Sequence, residues 1–312
     1  MYLRDERFSL WLDFIERDFL DNEFLQLIKD GTINGATSNP AIFKNAILTS
    51  NAYKNQLSTL ENMSPKERYE AIAIEDIKKA AKILLPLYES GDDGFVSIEV
   101  DPFLCDDADA TIAEGERLFK QIGYPNVMIK IPATEAGYIA MRELSSKNIP
   151  INATLIFTLE QAMKCAEALK DSQNIGVISI FVSRLDRVLD DKLSIKGRAG
   201  IVNAATIYSE IEKLGYGHIR ALFASTGVKA DSYRASYYID ELLAKNSINT
   251  APLATIKSFI ENGDCTIKLP LAETLDEIVG DIDIKMYFKM LIDDGLEQFK
   301  EAFGEILKEL ED

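Results

Sequence analysis

Eight short apolar runs punctuate the chain, separated by stretches with helical spacing. They are FSLWLDF (8–14), INGATS (33–38), FVSIEVD (95–101), NVMIKIP (126–132), PINATLIF (150–157), GVISIFVS (176–183), IRALFAS (219–225) and INTAPLA (248–254). Most are apolar apart from isolated polar residues, as expected of strands covered on both faces in a parallel sheet. Helix signals fall between them. SPKE at Ser64–Glu67 is a capping box with proline at the first helical position, predicting a helix to about Tyr88. TLEQ at Thr158–Gln161 is a second box. In the tail, Leu296, Phe299, Phe303, Ile306 and Leu310 share one stripe, predicting an amphipathic surface helix. Residues 44–89 read as two helices in an enlarged connection. No linker, low-complexity tract or repeat divides the chain, so 1–312 is expected to be one domain.

Strands alternating with helices admit a closed barrel or an open doubly wound sheet. The open sheet usually carries a glycine-rich phosphate loop. GxGxxG is absent, as is GK followed by Ser or Thr, and GYGHIR lacks a third glycine and precedes a strand. The pattern therefore favours the α/β class: a (β/α)8 TIM barrel with extra helices after strand 2 and at the C-terminus.

Alternate residues of a strand share a face. On that basis Met128 and Lys130 face together, opposite Val127, Ile129 and Ile131. Ser97 and Glu99 oppose Val96, Ile98 and Val100. Asn152 and Thr154 oppose Ile151, Ala153 and Leu155; Ser179 and Phe181 oppose Ile178, Ile180 and Val182. Phe223 and Ser225 are expected opposite Leu222 and Ala224, and Asp13 lies on the face of Trp11. Each of these strands thus has an apolar face and a face with polar residues toward its C-terminal end. A single buried polar residue is ordinary core, but this many at one end of a barrel describe an active-site mouth.

Composition narrows the chemistry. The chain of 312 residues is 47% hydrophobic and carries a net charge of −17. That charge argues against nucleic acid as a partner. No apolar run has transmembrane length, and MYLRDERFSLW has no signal-peptide core, so a cytoplasmic location without membrane contact is expected. Cys105, Cys165 and Cys265 are far apart, which suits a reducing compartment; Cys105, in DPFLCDD, reads either as a redox-sensitive thiol or as a buried one. The one histidine, His218, stands before a strand rather than after it, away from the mouth, and leaves little for His-based nucleophilic or metal catalysis. No cofactor or metal is expected.

Lysine is among the residues least often buried. Desolvation favours its neutral form, and a neutral amine adds to a ketone to give a Schiff base. The iminium is an electron sink, so a neighbouring C–C bond breaks without metal or cofactor. Glu99 and Asp13 are the available acids and bases. The bland alternative for Lys130 is an ion pair with Glu99 in a packed barrel. Two look-alikes, Lys257 in ATIKS and Lys268 in CTIKLP, follow all eight runs; Lys268 is expected to be exposed and Lys257 to begin the connection into the tail.

These residues resemble the transaldolase family, in its subgroup of longer bacterial and plant-like enzymes. The resemblance is most specific at GATSNPAIF (35–43) and continues through SIEVDP, NVMIKIPAT, PINATLIF, ISIFVSRLD, KGRAGIVNA, LFASTGVK and NTAP, up to about residue 255. It implies a (β/α)8 barrel that moves a dihydroxyacetone unit from a ketose phosphate (sedoheptulose 7-phosphate or fructose 6-phosphate) to an aldose phosphate (glyceraldehyde 3-phosphate or erythrose 4-phosphate) in the non-oxidative pentose phosphate pathway. By resemblance, Lys130 is the Schiff-base lysine and Asp13 the acid/base at the breaking bond. Glu99 and Thr154 handle the water exchanged with the imine. Asn39, Asn152 and Ser179 bind triose hydroxyls, while Arg184 and Ser225 hold the phosphate. Many relatives place a second phosphate-binding arginine two residues after that serine. Here Gly227 stands there, followed by Val228 and Lys229, and VKADSY replaces the usual KNP. Lys229 is expected to supply the second charge, with Arg187 as the substitute, otherwise pairing at the surface. The partners implied are sugar phosphates; a homodimer is allowed but not specified. The competing readings are a fructose 6-phosphate aldolase-like enzyme, disfavoured by the long helical additions, and an inactive barrel acting as a binding module, disfavoured by the apparently complete residue set. The single histidine disfavours a metal-dependent aldolase.

Overall fold

In the computed structural model, which describes residues 2–228 and 233–311, eight parallel strands close into a barrel in chain order. β1 (Ser9–Asp13) leads through α1 (Arg17–Asp21) and α2 (Glu23–Lys29) to β2 (Gly35–Thr37). α3 (Pro40–Thr49), α4 (Lys54–Leu57) and α5 (Pro65–Glu89) then connect to β3 (Phe95–Glu99). Single main helices follow the next strands: α6 (Ala108–Ile122) before β4 (Val127–Pro132), α7 (Glu135–Ser146) before β5 (Ile151–Ile156), and α8 (Leu159–Leu169) before β6 (Gly176–Phe181). α9 (Ser183–Leu189) and α10 (Ala199–Leu214) precede β7 (Ile219–Ala224), and α11 (Tyr237–Glu241) precedes β8 (Ile248–Ala251). The tail holds α12 (Leu253–Asn262), α13 (Leu275–Val279) and α14 (Ile284–Glu309).

All eight strands fall inside the predicted runs. Both capping boxes form, each with its two reciprocal hydrogen bonds. The connection after β2 differs in detail: its first helix starts at Pro40, directly after the strand, and the short α4 is added. Among the described residues no helix is long and apolar enough to cross a membrane.

The core has two parts. Outward strand residues such as Val96, Val127, Ile129, Ile131, Ile178 and Ile180 pack with the helices. Trp11, Phe95, Met128, Val177 and Leu222 fill the barrel itself. Gly35 is required there, since a Cβ on it would stand 2.5 Å from Trp11 Nε1. Below Trp11 the N-terminal end is plugged by Arg220, which donates to Asp93 Oδ1 at 2.6 Å and to Ser9 Oγ at 3.2 Å. Trp11 Nε1 donates to Asp93 Oδ2 at 3.1 Å.

Two strands face differently from expectation, β7 by a reversed parity and β5 by a break in alternation. In β7 it is Leu222 and Ala224, not Phe223, that join the interior. Arg220 sets this register, because its guanidinium is buried against Asp93 inside the barrel. In β5 the pairing with β6 shifts between Ala153 and Ile156, and Leu155 has φ 59°. This irregularity turns Leu155 inward, whereas alternation assigned it to the helix side.

Candidate active site

The strand register assembles the polar mouth. Cα pairing places Glu99 opposite Lys130, and Lys130 opposite Asn152. Asp13 pairs with Thr37. A cavity of about 190 Å³ opens above them, lined by Asp13, Asn39, Lys130, Thr154, Ser179, Arg184 and Ser225 among others. Seven of the ten residues expected at the site therefore meet in one cavity. Glu99 and Asn152 stand just behind its wall, and Lys229 lies outside the described residues.

Lys130 is 5% exposed. Its Nζ donates to Ser38 O at 3.0 Å and lies 3.4 Å from Glu99 Oε2. Neither oxygen of Glu99 has a hydrogen-bond partner of good geometry among the described residues. Burial pushes the Glu99 carboxyl up to about 7, against the opposing pull of the lysine. Such a group exchanges protons near neutrality. Burial also raises Asp13, while Lys130 and the hydrogen bond from Thr37 draw it back down. That bond, Thr37 Oγ1 to Asp13 Oδ1, is 2.6 Å long and fixes the carboxylate at the end of β1.

Asn152 is wholly buried. Its Nδ2 donates to Ser97 Oγ at 2.9 Å and its Oδ1 accepts from Ser179 Oγ at 2.7 Å. This chain ties β3, β5 and β6 together beneath the cavity. Thr154 Oγ1, also buried, has no hydrogen-bond partner among the described residues. Asn39 caps α3: its Oδ1 accepts from Ile42 N at 3.0 Å, which leaves the amide nitrogen for the cavity.

The opposite wall is cationic. Arg184, in the first turn of α9, has its guanidinium carbon 5.1 Å from the Phe181 ring centroid. Its Nη1 is buried without a hydrogen-bond partner among the described residues. Burial, then the charge of Arg187, lower its pKa to about 10, so it remains charged at neutrality. Arg187, expected to pair at the surface, is exposed and makes no ion pair among the described residues. Ser225 reaches the cavity after β7 has ended. It adopts φ 56°, and its Oγ lies 3.1 Å from Ser183 Oγ. Its place comes from this left-handed turn, not from strand parity.

The remaining sequence candidates lie elsewhere. His218 Nε2 sits 3.0 Å from Leu169 O at the foot of β7. Lys257 is exposed and paired with Glu23, and half-buried Lys268 pairs with Asp264. Cys105 is buried beyond β3, and burial raises its thiol. Sequence reasoning missed Thr37, Thr250, Gln298 and Phe299 in the cavity lining. Thr37 shares the face of Asp13 and was open to the parity argument. Phe299 carried no polar signal that set it apart from core.

Comparisons with known proteins agree with this geometry. Residues 10–310 match the family model described as Transaldolase/Fructose-6-phosphate aldolase. A Campylobacter jejuni (strain RM1221) protein named transaldolase is 49% identical, covering 98% of this chain and all of its own length. One from Helicobacter pylori (strain Shi470), also named transaldolase, is 43% identical, covering 97% of this chain and 99% of its own. On its sequence match and its barrel alike, the chain belongs to the transaldolase/fructose-6-phosphate aldolase family.

Proposed function

We infer that this protein is a transaldolase, transferring a dihydroxyacetone unit between sugar phosphates through a Schiff base on Lys130. The observation that carries the reading is a buried amine at a barrel mouth, held between Ser38 O and Glu99 and open to a cavity whose far side carries Arg184, with no ion pair among the described residues. Nζ adds to the ketose carbonyl carbon, and the carbonyl oxygen leaves as water with a proton from Glu99, through the site of Thr154. Asp13 takes the proton of the hydroxyl beside the breaking bond. The C–C bond electrons pass into the iminium, giving a lysine-bound enamine and a free aldose phosphate. The enamine carbon then bonds to the acceptor aldehyde, whose oxygen takes the proton from Asp13. Water adds to the new iminium and the amine leaves.

Asn39 and Ser179 bind triose hydroxyls in this reading, and Asn152 orients Ser179 from below. Arg184 and Ser225 hold the phosphate, since a guanidinium fork suits its oxygens. Lys229 supplies the second charge. The same reading places the protein in the cytoplasm, working on sugar phosphates and not nucleic acid. It allows a homodimer, which a single species of monomer mass in sedimentation would reject.

Borohydride reduction with fructose 6-phosphate, followed by peptide mapping, tests the chemistry. A triose adduct is expected on the peptide holding Lys130. An adduct on Lys257 or Lys268, or none, sinks the mechanism. The aldolase reading would instead be favoured by rapid release of dihydroxyacetone without an acceptor; slow release is expected.

A further inference from the structure

The cavity is roofed by the tail. α14 runs across the barrel mouth, and its stripe of Gly295, Phe299, Phe303 and Ile306 is buried. The far end is anchored on the enlarged β2–β3 connection: Arg68 Nη1 donates to Leu310 O at 2.8 Å, and the Phe303 ring meets Tyr69 edge-on at 5.1 Å. Lys44 and Glu305 form an ion pair alongside. Over the cavity the helix comes close because Gly295 has no side chain. A Cβ there would lie 3.0 Å from Leu155 Cδ2 and 3.5 Å from Arg184 Nη1. The irregularity in β5 that turns Leu155 inward supplies the surface on which Gly295 rests. One turn further on, the Phe299 ring centroid stands 5.6 Å from Lys130 Nζ, within cation–π range. Phe299 is 6% exposed and lines the cavity with its neighbour Gln298.

We propose that Phe299 shields the lysine-bound triose and so decides how the enamine divides between acceptor aldehyde and water. This inference rests on the Schiff-base reading of Lys130. The enamine has two fates. Its carbon can bond to an aldehyde, completing transfer. Alternatively that carbon takes a proton from water; a second water then adds to the iminium and expels the amine, releasing dihydroxyacetone. Only the second fate needs solvent at the enamine carbon while the acceptor is absent. A ring over Nζ excludes solvent from that side, and its face favours the iminium cation over a hydrated carbinolamine. Phe299 touches no proton in either path, so it is a positioning residue. The tail, which shows no active-site signal in sequence, thereby supplies one wall of the transferase.

The test compares the unmodified protein with Phe299→Ala and Phe299→Leu. For each, the rate of dihydroxyacetone release without acceptor is divided by the rate of ketose formation with saturating acceptor. Phe299→Ala is expected to raise that ratio by on the order of tenfold, the scale a desolvated cation–ring contact controls. Phe299→Leu keeps apolar cover but loses the ring face, so its ratio should rise less, by about threefold. Should the alanine variant fail to fold, the leucine variant alone decides. An unchanged ratio in a folded variant that still forms the borohydride-trapped Lys130 adduct overturns the shielding role. Absence of that adduct in the unmodified protein overturns the Schiff-base reading itself, so the two failures are distinct.

Discussion

Glu99 is the residue whose environment most directly sets a measurable property. Its carboxyl is raised from a usual value near 4.5 to about 7, first by burial. Burying the charged form therefore opposes folding: the stability this group allows is complete below about 4.5 and is lost as pH rises through about 7. Glu99→Gln should gain stability relative to the unmodified protein between pH 5 and pH 8, measured by denaturant midpoints at both. The same variant should lose activity by about 10²–10⁴-fold, the range for a positioned acid or base. Imine formation uses the acid form of Glu99. The single-turnover rate of trappable adduct should then fall as pH rises through about 7 in the unmodified protein, and that limb should vanish in Glu99→Gln. A limb that survives the substitution assigns the proton to another group. Lys130 and Glu99 were legible in sequence because each interrupts an apolar strand on one parity. Arg184 and Asn39 follow their strands, where no periodicity applies, and only the resemblance reached them. Ser225 was expected on the correct wall for the wrong reason, since a left-handed residue after β7, not alternation, turns it inward.

Elements position these groups through a few close approaches. Gly35 in β2 is one: Trp11 fills the barrel against its bare Cα, and any Cβ would stand 2.5 Å from the indole nitrogen. Gly35→Ala should destabilise the protein by about 1–3 kcal/mol, the usual cost of overpacking a filled core. Denaturant unfolding followed by Trp11 fluorescence reads this directly, and a change within error rejects the packing argument. The capping box of α5 gives a contrasting case far from the chemistry. Ser64→Ala should cost about 1 kcal/mol while leaving the Lys130 adduct unchanged. Periodicity and caps made β1–β8, α5 and α8 visible before the structure, because those signals are local. The tail was visible as an amphipathic helix, but nothing in its spacing says which surface it covers. Gly295 and the inward Leu155 decide that, and both depend on a pairing irregularity in β5 that only the neighbouring strand reveals.

The whole molecule divides its work along the barrel axis. Polar groups at the C-terminal mouth face a cavity, and Thr154 Oγ1 and Arg184 Nη1 have no hydrogen-bond partner among the described residues. At the N-terminal end a single cation is held by many partners: Arg220 donates to Asp93, Ser9 Oγ and the carbonyls of Arg7 and Ser247, and Asp93 also accepts from Trp11. This is the division between chemistry and stability expected of such barrels. It predicts that the two ends fail differently. Arg220→Met removes the cation and leaves Asp93 buried beneath Trp11, so it should cost about 3–5 kcal/mol. A low-temperature preparation that remains folded should still form the Lys130 adduct at the unmodified rate per folded molecule, since among the described residues Arg220 hydrogen-bonds to none that lines the cavity. Lys130→Met should do the reverse, abolishing the adduct with a smaller loss of stability, because the Glu99 left behind can take up a proton instead of remaining a buried charge. Denaturation curves and adduct yields measured together on both variants check the division. If Arg220→Met slows adduct formation in folded protein as strongly as it lowers stability, the two ends are coupled through the interior layer of Trp11, Phe95 and Met128, and the barrel cannot be treated as a stable base carrying an independent site.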